Sequence, residues 1–384
     1  MSRLEELIAE LCPDGVEYKT LGEIAEVSRG VRVVKSQLTA QGECPVYQNS
    51  MTPLGYYEKS NCPANTVFII AAGAAGEIGF STVAFWAADD CFYFSCPQTL
   101  KSRYLYYALQ CKQVYIFSRV RRASIPRLAR SAIESLKIPV PPLPIQREIV
   151  HILDNFTELT TELTTELTAR KKQYEYYKNY IFSRYMDSNA EFVPLSQIVD
   201  VRDGTHDSPQ ASNVGKYLIT SKNVKNGTIN YDNAYLISED DFQAINQRSK
   251  VDLWDLLFTM IGTVGEVGMV EKEPDYAIKN VGLIKTGDEL TSRFLKYYLA
   301  TKTVKQYVEN NRSKGSQVFL SLGKLRNLPV PKIRKEQMEN IVVLLSRFDN
   351  ICTNVISGLP AEIAARQKQY EYYRDKLLTF KEIS

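Results

Sequence analysis

Residues able to do bond chemistry are few in this chain. His151 and His206 are the only histidines, and the seven cysteines include no Cys-x-x-Cys pair, so neither a metal cluster nor a disulfide framework is expected. Pro13-Asp14 followed by Glu17-Tyr18-Lys19 mimics the acidic pair and lysine of a metal-dependent nuclease, but the spacing is too short to bring the groups around one ion from adjacent strands. The triplets Gly73/Gly76/Gly79 and Gly262/Gly265/Gly268 lack the lysine and Ser/Thr of a nucleotide phosphate loop and read as tight turns after strands. No Asn-Pro-Pro-aromatic loop of the kind used by adenine methyltransferases occurs. His206, alone in Asp203-Gly204-Thr205-His206-Asp207-Ser208-Pro209, suits a loop-ordering hydrogen bond or a contact to DNA better than catalysis. No catalytic residue and no metal ligand is assigned.

Binding chemistry is better supplied. Between Lys112 and Lys137 stand Lys112, Arg119, Arg121, Arg122, Arg127, Arg130 and Lys137 against the single acid Glu134. Between Lys302 and Asn327 stand Lys302, Lys305, Arg312, Lys314, Lys324 and Arg326 against Glu309 alone. Clustered cations beside Tyr115, Phe117 and Tyr307 suit phosphate contacts, while base edges need Arg, Lys, Asn or Gln presented from loops. Candidate readers are Arg29, Arg32, Lys35, Gln48 and Asn49 in the first half, and Arg202, Thr205, His206, Lys222 and Asn223 in the second. Arg119, Arg121, Arg122, Arg312 and Lys314 are the candidate basic contacts. The net charge of +3 is too small to argue nucleic-acid binding by itself; its placement carries the argument.

These residues recur because the chain is written twice. Thr20-Leu21-Gly22-Glu23-Ile24-Ala25-Glu26-Val27-Ser28-Arg29-Gly30 returns as Pro194-Leu195-Ser196-Gln197-Ile198-Val199-Asp200-Val201-Arg202-Asp203-Gly204. The glycine triplets, Ser102-Arg103-Tyr104-Leu105 with Ser292-Arg293-Phe294-Leu295, and Ile138-Pro139-Val140-Pro141 with Leu328-Pro329-Val330-Pro331 follow in the same order. Lys172-Gln173-Tyr174-Glu175-Tyr176-Tyr177 is repeated letter for letter at Lys368-Gln369-Tyr370-Glu371-Tyr372-Tyr373. Each copy runs from strands and turns, through a proline-rich exit, into a long charged helix.

The exit Ile138 to Pro144 holds four prolines in seven residues and predicts an extended path with no helix. From Gln146 to Tyr185 no Gly or Pro occurs, and Ile149, Leu153, Phe156, Leu159, Leu163 and Leu167 form one apolar stripe. The resulting rod is roughly 57 Å long and wants a partner helix. The second copy offers Ile341, Leu344, Leu345, Phe348 and Ile351, with a kink or break expected at Gly358-Leu359-Pro360. Three tandem tetrapeptides, Thr157 to Thr160, Thr161 to Thr164 and Thr165 to Thr168, each add about 6 Å and about 40° of rotation, so their number acts as a length dial. The expected fold is α+β: two mixed domains separated by two long helices forming an antiparallel coiled coil, with a pseudo-twofold internal repeat. The expected boundaries are 1–142, 143–186, 187–331 and 332–384. The start, MSRLEELIAELCPDG, reads as neither a signal peptide nor a membrane span, and a reducing cytoplasm is expected.

The opening around Leu21 to Gly30, the loop Gly204 to Pro209, the exit Ile138 to Gln146 and the two KQYEYY helices together resemble the specificity subunits of Type I restriction-modification systems, over essentially the whole chain. The resemblance implies two target-recognition domains that each read half of a bipartite, asymmetric site on double-stranded DNA. It implies that the tetrapeptides, with Leu159, Leu163 and Leu167, set the unread spacer. It also implies helices, marked by Tyr174, Tyr177, Tyr370 and Tyr373, that dock two methyltransferase subunits, with restriction and translocase subunits added. S-adenosylmethionine, ATP and Mg would then sit on those partners, and this chain would hold no cofactor and perform no bond chemistry. A free-standing two-headed DNA-binding regulator and a coiled-coil protein scaffold are the alternatives the residues leave open.

Overall fold

The computed structural model describes residues 3–185, 190–225, 227–315 and 317–383, without the side chains of 185 and 351–357. The apolar run Thr66–Ile70 is buried at every position, as a central strand must be. It pairs antiparallel with Cys91–Ser95 and Ile78–Ser81, and Glu26–Arg29 completes a four-stranded sheet. Leu256–Thr259 takes the same place in the second copy, between Val281–Lys285 and Val267–Met269, with Asp200–Asp203 at the edge. A three-stranded sheet is also built twice: Gly55–Tyr57, Cys44–Tyr47 and Trp86–Ala87, then Tyr235–Ile237, Lys216–Ile219 and Tyr276–Ile278. In each the last pairing is parallel. The second copy adds the helix Glu239–Ser249 between Tyr235–Ile237 and Leu256–Thr259, where the first copy has no helix.

The chain folds as two compact units, one of residues 1–165 with 360–384 and one of residues 166–359. Both cuts fall inside the long helices Leu143–Tyr185 and Lys335–Leu377. In the first unit Ile145, Ile149 and Leu153 from the start of the first long helix share a core with Leu21, Ile69, Tyr104 and Tyr107, joined by Tyr370 from the end of the second and Leu378 just past it. In the second unit Phe182 from the end of the first helix meets Leu195, Phe258, Phe294 and Tyr298, joined by Ile341 and Leu345 from the start of the second. Within one unit Phe156 stacks on Tyr373 at 5.4 Å; within the other Tyr177 lies 5.1 Å from Phe348. Start meets end in both, the sense that an antiparallel pair requires.

Four expectations change in detail. The proline exit is extended, but its strand Lys137–Pro139 is paired with Tyr18–Thr20, and Pro329–Pro331 likewise with Phe192–Pro194. The first helix begins at Leu143, so Pro144 lies in its first turn, where a missing N–H costs nothing. The second helix continues through Pro360, because packing anchors both ends of a segment that propensity alone would interrupt. Leu344 is exposed while Val342 is buried; the Ile351 side chain lies outside the described residues.

Candidate nucleic-acid interface

Two features separate in sequence, the glycine turns and the basic windows, form one structure in each head. In the first, Arg121 and Arg127 exchange backbone hydrogen bonds of 2.9 and 3.1 Å, closing residues 122–126 into a loop. Gly73 N–H then donates to the Pro126 carbonyl at 3.2 Å and Leu128 N–H to the Ala71 carbonyl at 2.8 Å. The second head repeats this: Gly262 N–H donates to Val318 at 3.0 Å, Leu320 N–H to Met260 at 2.8 Å, and Ser313 N–H to Phe319 at 2.8 Å. The turns need positive φ, +84° and +93° at Gly73 and Gly76, +78° and +101° at Gly262 and Gly265. Their amides are engaged within the fold, since Gly76 and Gly265 donate to Ile70 and Thr259 at 2.8 and 3.0 Å.

A third loop starts at Gly30 and Gly204. A Cβ there would lie 2.2 Å from the Ala88 carbonyl oxygen or 2.5 Å from that of Ile278, so close backbone approach explains why both copies keep glycine. In the first head Arg29 Nε donates to the Asp89 carbonyl at 2.7 Å, while Arg32 and Lys35 are exposed on the following loop. Asn49 is exposed, and its carbonyl accepts from Ala74 N–H at 2.9 Å, which ties it to the glycine turn; Gln48 beside it is half-buried. Arg119 covers the Tyr115 ring at 4.7 Å and donates to its hydroxyl. Arg121 and Arg122 are exposed without a side-chain partner among the described residues, whereas Arg130 is paired with Glu134 at 2.7 Å.

In the second head Arg202 bridges Asp200 at 2.7 Å and the Arg248 carbonyl at 3.2 Å. Thr205 Oγ1 accepts from Asp207 N–H at 3.1 Å. His206 Nδ1 lies 2.9 Å from Asn280 Oδ1 and its Nε2 3.0 Å from Asp203. Lys222 is exposed, but Asn223 is buried: its Oδ1 accepts from Thr220 N–H at 3.0 Å and its Nδ2 donates to the Asp232 carbonyl at 3.0 Å. As a base reader Asn223 is therefore corrected to a turn-holding amide, since no polar atom is left over. Lys314 is exposed, and Arg312 is paired with Glu309 at 2.6 Å. Thr220, Ser221, Lys222, Thr263 and Asn280 line a cleft of about 530 Å³.

The helix tyrosines serve each unit internally. Tyr370 is buried and donates to Gln110 Oε1 at 2.7 Å; Tyr174 and Tyr177 are half-buried, and Tyr373 stacks on Phe156. Tyr176 and Tyr372 are the strongly exposed members of the two KQYEYY segments. Sequence reading missed a duplicated clamp: Tyr107 OH donates to Asp154, and Tyr297 OH to Asp349 at 2.7 Å, each tying a head helix to a long helix. Burial, reinforced by the carboxylate, pushes both phenols up, so they stay protonated and donate. Leu159, Leu163 and Leu167 are half-buried, with Glu158, Glu162 and Glu166 exposed.

Among the described residues no group of His, Cys, Asp and Glu could hold a metal ion, and no helix is long and apolar enough to cross a membrane. The profile of the Type I restriction modification DNA specificity domain matches residues 13–172 and again 187–365. The chain is 28% identical to a Haemophilus influenzae protein named as a type I restriction enzyme specificity subunit, over 95% of this chain and 96% of that one. It is 27% identical to the EcoR124I/EcoR124II specificity subunit of Escherichia coli, over 64% and 63% of the two chains. Its fold resembles the S subunit of a Type-I restriction-modification system from M. genitalium, with TM-score 0.60, 17% identity and full coverage of both chains. The doubled architecture and the doubled profile match agree: this chain belongs to the Type I restriction modification DNA specificity family.

Proposed function

We propose that this chain chooses the DNA sequence for a Type I restriction-modification complex, each head reading one half of a bipartite, asymmetric site. The observation that carries the reading is the twice-built junction of basic loop and glycine turn, with different side chains on the same backbone frame. Arg121, Arg122 and Lys314 supply phosphate contacts, helped by Arg119 and Arg312, which would exchange their present partners for DNA. Arg29, Arg32, Lys35, Gln48 and Asn49 in the first head, and Arg202, Thr205, His206 and Lys222 in the second, lie on or beside the loops that would face base edges.

The finer assignments follow from the same reading. Two methyltransferase subunits dock on the long helices, and restriction subunits complete the complex; the exposed Tyr176 and Tyr372 join Tyr177 and Tyr373 as the ring contacts offered there. S-adenosylmethionine, ATP and Mg belong to those partners, which work with this chain in the cytoplasm on double-stranded DNA. The test is co-expression with the neighbouring methyltransferase subunit and genome-wide mapping of methylated adenine with and without this chain. A single two-part motif that vanishes without the chain is the expected result. Methylation independent of the chain overturns the reading.

A further inference from the structure

Asp203 closes the edge strand Asp200–Asp203 of the second head and is 6% exposed. A buried carboxylate is costly unless it is paired and hydrogen-bonded. One oxygen accepts from Arg248 Nη2 at 2.6 Å, and the other lies 3.0 Å from His206 Nε2. Both partner side chains stand largely in solvent, 68% exposed for Arg248 and 65% for His206. Arg248 is thus fixed through Nη2 alone, with its other guanidinium N–H groups facing outward.

The fixing is redundant. His206 is held again by Asn280, whose backbone takes the left-handed φ of +55°. The Arg248 carbonyl accepts from Arg202, which seats the end of the helix Glu239–Ser249. As a source of stability this is a poor arrangement, because pairing with largely exposed partners returns little against the desolvation of Asp203. For recognition it is favourable, because a side chain already held in place loses less freedom on binding. The first head has nothing equivalent: Arg29 occupies the matching position and donates to a carbonyl, and the helix that carries Arg248 is missing. The neighbouring turn differs too, since a Cβ at Gly73 would lie 2.6 Å from the Asn49 carbonyl oxygen whereas nothing lies within 4 Å of a Cβ at Gly262.

We propose that Asp203, itself braced by His206, is a positioning residue that holds Arg248 as a base reader of the second head, with Arg248 determining one base pair of that half-site. The inference rests on the function proposed above. An arginine bonded to a carboxylate through Nη2 alone keeps further guanidinium N–H groups for a base edge with two acceptors, as guanine presents in the major groove. The first head, lacking this arrangement, reads its own half-site by other groups.

The experiment is methylated-adenine mapping with the full chain co-expressed with its methyltransferase subunit, comparing the unaltered chain with Arg248→Ala, Arg248→Lys, Asp203→Asn and the Arg248→Ala/Asp203→Asn pair. Arg248→Ala is expected to relax one base pair of one half-site by about tenfold or more while the other half-site and the spacer stay unchanged. Arg248→Lys, which keeps the charge and loses the fork, should relax the same base pair. Asp203→Asn should do so as well, and the double variant should go no further than either single change. An intact motif with Arg248→Ala, or methylation weakened evenly across all sequences, overturns the proposal; the second outcome is the mark of a phosphate contact. If Asp203→Asn fails to fold, the two changes at exposed Arg248 still decide. An unaltered chain that confers no motif at all overturns the underlying function instead, so the two failures are distinct.

Discussion

Arg121 and Arg122 stand on a loop whose ends are tied by paired backbone hydrogen bonds, so they bring charge to DNA with little further backbone ordering. Replacing either with Ala should weaken binding evenly across sequences and lower the slope of log affinity against log salt by about one, measured by titration at several salt concentrations in the assembled complex. Asn223 belongs to the opposite class. Asn223→Ala should leave Thr220 N–H and the Asp232 carbonyl without their partner and cost about 1–3 kcal/mol, read by thermal unfolding, with no loss attributable to a missing base contact. Residue type had nominated Lys222 and Asn223 alike. Only the fold separates them, because a side chain's availability depends on neighbours remote in sequence. Arg248 shows the converse: it lies in a helix with no counterpart in the first copy, so comparison of the copies gave no reason to look there.

At the scale of elements, the paired clamps Tyr107–Asp154 and Tyr297–Asp349 fix where each head sits on its helix. A double-mutant cycle on Tyr297→Phe and Asp349→Ala should return a coupling of about 1–3 kcal/mol, since a charge-assisted hydrogen bond is lost. The tetrapeptide segment is built within its own helix. Its threonines bond back to their own helix, Thr161 Oγ1 to the Thr157 carbonyl at 2.8 Å and Thr164 Oγ1 to that of Thr160 at 2.8 Å. Removing residues Thr161 to Thr164 should therefore shorten the unread spacer by a little under two base pairs, about 6 Å of helix, and leave both half-sites unchanged in a methylation map. The helices were legible from an unbroken apolar stripe. The expected interruption at Gly358-Leu359-Pro360 was not realised as a break, because local propensity yields in a helix whose two ends are anchored in packed cores.

For the whole molecule, each unit takes its core from one head and from both long helices, so the copies in sequence are not the compact units in space. A chain ended after Leu359 would strip Tyr370 and Leu378 from the first core, at about 2–5 kcal/mol for each large side chain lost. Hydrogen exchange should then rise in the first unit, including Tyr104 and Tyr107, while Phe258 and Phe294 in the second keep their protection. By itself the sequence determined that there are two similar mixed domains, two long helices and basic windows at equivalent places, because repeats, periodicity and charge are properties of linear order. Tertiary structure alone decided that each glycine turn is bound to its basic loop, which candidate side chains are bonded within the fold, and that Arg248 of a separate helix reaches the buried Asp203. Those facts depend on backbone hydrogen bonds and burial between residues tens of positions apart, which no local spacing encodes.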